Sequence, residues 1–190
     1  GRLAESHCKW DTALDIYSGV LKKDPMNQTA WKRKVCVRKA QGDTSEAIKE
    51  LSRFVQVFSG DEAAWVELSE LYISSAQYAM AKFCFEELIL IKPENYLFHL
   101  QYAEVLYTLG GKKDFETARQ YYAQSLELKP ENNLRALYGL CLCLRTKASN
   151  RALHVDLYKW SVDQVLDLYR QSSSPHLQSL VEPVLKLSIK

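Results

Sequence analysis

Apolar side chains recur along this chain at spacings of three and four residues, the period of an amphipathic α-helix. Trp65, Leu68 and Tyr72 share one helical face in this way, and so do Val155, Tyr158, Val162, Val165, Leu166 and Tyr169. The pattern predicts helices over residues 9–23, 28–41, 44–58, 62–75, 78–91, 95–109, 114–128, 132–147, 154–171 and 176–188, with residues 1–7 as the end of a further one. Thr44 ahead of Ala47 and Ile48 reads as a helix start, and Gly42 and Gly110-Gly111 read as helix ends. With 7 Gly and 5 Pro in 190 residues, turns are sparse and elements long, which argues against a β-sandwich.

The helices repeat. Ala13, Ala47 and Ala81 follow one another at a constant step, and Trp31 to Trp65 is the same step. Ala118 comes slightly later than one more step from Ala81 would bring it, which places a three-residue insertion near Gly110 to Lys113. Pro25, Pro93 and Pro130 stand at one fixed distance beyond Ala13, Ala81 and Ala118. The step of about 34 residues is the period of the tetratricopeptide repeat, or TPR, a pair of helices in which a small residue lets the second approach the first. The expected fold is all-α: a superhelical TPR solenoid of antiparallel helix pairs. Residues 1–131 form the array, with a truncated first unit and then units near 28–61, 62–95 and 96–131. After Pro130 the ladder decays, so residues 132–190 are read as a degenerate repeat and C-terminal capping helices, since a terminal repeat must meet water on one face. The chain opens at Gly1 inside a helix and is expected to be a fragment of a longer one.

Charge and cysteine content narrow the function. A net charge of +2 supplies no global field for nucleic acid or an anionic membrane. The 5 cysteines include no CxxC pair and lie in apolar helical segments, as reduced thiols in a reducing compartment do. The longest apolar stretch, around Leu137 to Leu144, falls far short of the roughly 20 residues that cross a bilayer.

No constellation for catalysis stands out. His7, His99, His154 and His176 are scattered, and Cys141 and Cys143 project about 200° apart on a helix, too far to share a metal easily. No strand precedes Gly110-Gly111-Lys112-Lys113, so it is an insertion and not a phosphate loop. Neither a cofactor nor a metal is expected, and the chain is not read as an enzyme. The basic run Lys32-Arg33-Lys34 with Arg38-Lys39 spreads around its helix without interleaved aromatics, so it reads as a solvated face, with an acidic partner as the second reading, and not as an RNA site.

Binding to protein is the remaining task. First helices line the concave surface of a solenoid, and their positions free of packing here are Lys32, Cys36, Lys39, Val66, Glu70, Ile73, Leu97, Leu100, Glu104 and Tyr107. The apolar members suit an apolar or amphipathic segment laid lengthwise. The clamp that TPR co-chaperones close on acidic C-termini is absent: Lys32 is followed by Cys36 where Asn is wanted, Glu67 replaces the next Asn, and Leu97 and Gln101 replace Lys and Arg. That absence counts against a free TPR adaptor of the co-chaperone kind, which stays as the alternative reading.

Beyond the framework, four stretches resemble subunit 2 of the endoplasmic reticulum (ER) membrane protein complex. They are Trp31 to Gly42, Asp61 to Ile73, Ala81 to Leu88, and Gln101 to Gly111. The resemblance implies a non-catalytic scaffold, a peripheral protein on the cytosolic face of the ER membrane. Its partners would be the other subunits of a hetero-oligomer that inserts transmembrane helices, including cytosolic tails of membrane subunits. It implies no nucleic acid, and membrane contact through partners only.

Overall fold

The computed structural model describes residues 1–145, 151–171 and 176–186. Their regular structure is helical: α1 (Arg2–Ser6), α2 (Trp10–Lys23), α3 (Gln28–Ala40), α4 (Thr44–Val57), α5 (Glu62–Ser74), α6 (Tyr78–Ile91), α7 (Tyr96–Leu109), α8 (Lys112–Leu128), α9 (Leu134–Arg145), α10 (Arg151–Gln171) and α11 (His176–Lys186). The chain divides into two compact units, residues 1–84 and 85–190.

In the first unit each helix packs on the next, from α1 through α5. Side chains cap the starts: Asn27 accepts from the Ala30 N–H at 3.0 Å, Asp43 from Glu46 at 3.1 Å and Asp61 from Ala64 at 3.0 Å. Ala13, Leu14, Tyr17, Ala30 and Val37 form one buried cluster. Leu51 and Phe54 of α4 are also fully buried, each contributing on the order of 1.5–3 kcal/mol of transfer free energy. Ala13, Ala47 and Ala81 are all 0% exposed, which is why these ladder positions are held small.

The corners between helices obey the same period. Cys8 (φ 52°), Gly42 (φ 77°) and Ala76 (φ 56°) are left-handed and stand one repeat apart in turn, with Gly110 (φ 77°) at the next step. Each of the first three ends a helix with one backbone bond spanning five residues: Lys9 N–H donates to Ala4, Asp43 to Arg38 and Gln77 to Tyr72. Glycine takes this conformation freely and announced two of the corners. At Cys8 and Ala76 a side chain is forced into it, and neither residue type signals a corner.

A second periodic device lies at the starts of the first helices. Trp31 donates its indole N–H to the carbonyl of Pro25 at 3.0 Å, and Trp65 donates to Ser59 at 2.8 Å. In the second unit, His99 donates through Nε2 to Pro93 at 2.6 Å.

Within the second unit α7 packs on α8 and on α9, α8 on α9, α9 on α10, and α10 on α11. Asn95 caps α7 by accepting from Leu97 N–H at 3.1 Å. The expected insertion is not a loop: Gly111 caps α8, and Lys112 and Lys113 fold into it, giving 17 residues where α4 has 14. Helix α9 starts at Leu134 and not at 132, because Asn132 is left-handed (φ 55°). Gly139 of α9 admits α8 closely, since a Cβ there would collide with the Tyr122 ring. Ser125 ties three helices together, donating to the Tyr96 carbonyl at 3.0 Å and accepting from Asn133 Nδ2 at 3.1 Å. Tyr158 of α10 donates to the Leu185 carbonyl of α11 at 2.8 Å. The expected helix ends at 146–147 and 187–188 lie outside the described residues.

Candidate functional site

Six of the ten candidate groove residues belong to the first unit. Lys32, Cys36 and Lys39 stand on α3; Val66, Glu70 and Ile73 stand on α5. Lys39, Val66 and Glu70 come together, lining an open pocket of about 540 Å³ with Glu62, Ala63 and Glu67. Cys36 faces a different hollow, shared with Trp10 and Arg33. Cys36, Glu70 and Ile73 are exposed and Val66 is half-buried.

The two lysines are engaged within the chain. Lys39 donates to Glu67 at 2.5 Å, a bond that holds the lysine pKa above its ordinary value, and Lys32 meets Asp61 at 2.5 Å. Both pairs tie α3 to the α5 end of the unit, so these two positions brace successive first helices. Exposed pairs of this kind contribute about 0.2–1 kcal/mol, so a partner's charge can exchange for either member at little cost.

Four candidates lie on α7 in the second unit. Leu97 is exposed, while Tyr107 is half-buried with its ring packed edge-on against Phe115 at 5.4 Å. Glu104 accepts from the Arg135 guanidinium of α9 through both oxygens, at 2.8 to 3.1 Å. Leu100 corrects the expectation: at 1% exposure it belongs to the core and is not displayed. Helix periodicity gave α7 a groove face but could not say how far its neighbours would cover it.

Sequence reasoning missed Glu62, Ala63 and Glu67 as pocket walls and Arg135 as a partner of Glu104. Opposite charges at facing positions of successive first helices, Lys39 with Glu67 and Glu104 with Arg135, were the available signal.

The basic run on α3 is not simply solvated. Arg33 meets Glu5 at 3.4 Å, Lys34 meets Glu50 at 2.9 Å and Arg38 meets Asp43 at 4.0 Å, in addition to the two lysine pairs above. Every charge in the run is answered by a carboxylate of the same unit, which leaves little free positive field for phosphates. Burial pushes the Cys141 thiol up and the Cys143 thiol up to about 12, so both are protonated and unreactive at neutral pH. Among the described residues no group of three or more His, Cys, Asp or Glu side chains gathers as a metal ligand set. No helix among them is long and apolar enough to cross a membrane.

Helix pairs closed at left-handed corners on one repeating period, with a small buried residue in each second helix, define a tetratricopeptide-repeat protein. Solved structures agree on the fold: YrrB, described as a TPR protein with an unusual peptide-binding site, matches with a TM-score of 0.65 at 17% identity, covering 96% of this chain and 87% of that one. The chain belongs to the family of the EMC2 TPR-like repeat domain, whose model matches residues 1–128. ER membrane protein complex subunit 2-A of Xenopus laevis is 44% identical over 169 residues, which are 85% of this chain and 57% of the relative. Subunit 2 of Dictyostelium discoideum is 33% identical over 192 residues, covering 94% of this chain and 60% of the relative. The chain thus spans somewhat over half the length of the curated relatives it matches.

Proposed function

We propose that this chain is the repeat region of a non-catalytic scaffold subunit of the ER membrane protein complex. It holds cytosolic and membrane-embedded subunits together on the cytosolic face of the ER membrane, in an assembly that inserts transmembrane helices. Its membership of the family carries this reading, because the relatives that match most of the chain bear that complex in their names. The surface of α3 and α5 supports it further. Val66 and Ile73 offer apolar contact, and the ion pairs around them can be exchanged, as suits a cytosolic helix or tail of a membrane subunit.

The test is affinity purification of the tagged full-length protein from detergent-solubilised cells, with mass spectrometry of its partners. Stoichiometric recovery of several integral ER membrane proteins, reduced by Ile73→Asp, is the expected result. Recovery of heat-shock proteins in their place would overturn the reading in favour of a free adaptor.

A further inference from the structure

Glu70 and Glu104 occupy the same groove position, one repeat apart, on α5 and α7. They differ in what meets them. The Glu104 carboxylate is gripped by the planar fork of Arg135, with both oxygens accepting within 3.1 Å. Glu70 makes no hydrogen bond or ion pair among the described residues and stands exposed. Arg135 sits two residues beyond the helix-capping residue, Asn133; the residue two beyond the cap is Leu97 after Asn95 and Ala63 after Asp61, and neither carries charge. The repeat therefore presents the same carboxylate twice and supplies its cation once.

We propose that an arginine of the partner segment completes the Glu70 site. The statement rests on the groove reading above and names the chemistry of what the groove takes: an amphipathic basic helix. The pocket beside Glu70 is built for such a side chain. Ala63 and Val66 provide an apolar wall for its methylene stem, and Glu67 and Glu70 provide acceptors for its head. Lys39, seated on Glu67 at 2.5 Å, already shows that this pocket holds a cation, and the Glu70 charge contributes to raising the pKa of that lysine. With the carboxylates of Glu67 and Glu70 facing a single ammonium, the pocket keeps an excess of negative charge that an incoming arginine neutralises. Apolar residues of the same segment rest towards Ile73.

The experiment uses the full-length protein and a fluorescein-labelled helical peptide of Leu and Ala carrying one Arg beside its apolar face, with Gln and Glu versions for comparison. The Arg version binds most tightly, by roughly three- to tenfold over Gln at low salt, as a charge-assisted pair on a partly covered surface provides. Glu70→Gln erases that preference, and Glu70→Lys transfers it to the Glu version. An Arg preference that survives Glu70→Gln overturns the proposal. Ile73→Asp separates the groove from the arginine site. If it releases all three peptides while Glu70→Gln changes nothing, the groove stands and the arginine site falls. If Ile73→Asp leaves binding intact, or no peptide binds, the groove reading falls and takes the arginine site with it.

Discussion

Lys34 and Glu50 meet at 2.9 Å between α3 and α4, with side chains only 14% and 8% exposed, at positions that hold Leu68 and Cys84 one repeat later. The following repeat places Tyr102 and Tyr121 there, packed edge to face at 4.6 Å. One structural position is thus filled by an ion pair, an apolar pair and an aromatic pair in turn. The ion pair is an imperfect substitute, since Glu50 Oε2 has no hydrogen-bond partner. Both charges have left water, and each depends on the other to offset that cost.

Removing one member is therefore expected to harm more than removing both. Glu50→Ala strands the Lys34 ammonium and should lower stability by about 3 kcal/mol, whereas Lys34→Leu with Glu50→Cys should be neutral or stabilising. Urea unfolding of the single and double variants decides it. A cost below about 1 kcal/mol for Glu50→Ala would mean that water reaches the pair.

Ala76 offers a gain in the opposite direction. It is left-handed where Gly42 and Gly110 hold the equivalent corners, and a Cβ there costs about 1–2 kcal/mol against glycine. Glycine loses more chain entropy on folding, which returns part of that difference. Ala76→Gly should raise stability by roughly 0.5–1 kcal/mol, visible as an upward shift of the thermal midpoint, while Gly42→Ala should lower it. A loss of stability in Ala76→Gly would show that the Ala76 methyl makes a contact worth more than the strain.

The buried thiols and phenols set an alkaline limit on stability. Burial raises Cys143 from 9.0 to about 12, and it also raises Cys141, Tyr102, Tyr122 and Tyr138. A raised folded value means that the native state keeps protons the unfolded chain releases. The stability tied to Cys143 is complete below pH 9 and is lost as pH climbs from there towards 12, while that of the phenols starts to fall only from pH 10. Each group contributes up to about 1.4 kcal/mol per pH unit between its unfolded and folded values. Urea midpoints measured on both sides of pH 9 should fall on the alkaline side, less steeply in Cys143→Ala. A flat profile would place the thiol in contact with solvent.

Much of the fold was readable from the sequence because the repeat writes each constraint several times. Ala13, Ala47 and Ala81 carry the close helix approach, and Pro25, Pro93 and Pro130 mark where the second helices end. Where a position departs from its repeat equivalents, the pattern misleads. Lys34 reads as part of a basic surface because lysine is seldom buried; only a carboxylate 16 residues away makes burial possible, and no periodicity announces that pairing. Cys8 and Ala76 hide left-handed corners because nothing in a cysteine or an alanine marks that conformation. The groove was legible as a set of positions on first helices. Which of them are tied up depends on charges contributed by the next first helix, as Lys39 and Glu104 show, and how deeply Leu100 is covered depends on packing that a single helix does not encode.

The replacement of Trp31 and Trp65 by His99 has a further consequence. An indole has one nitrogen and is spent once it donates, but an imidazole has two. Because a carbonyl only accepts, the bond to Pro93 places a proton on Nε2 and leaves Nδ1 buried without a hydrogen-bond partner beside the Tyr121 ring. His7 and His176 are exposed to solvent. The second unit thus contains its own spectroscopic reporter: a nitrogen-15 signal set by the Pro93 bond while α7 is seated, which would move towards those of the solvent-exposed histidines whenever that helix comes loose.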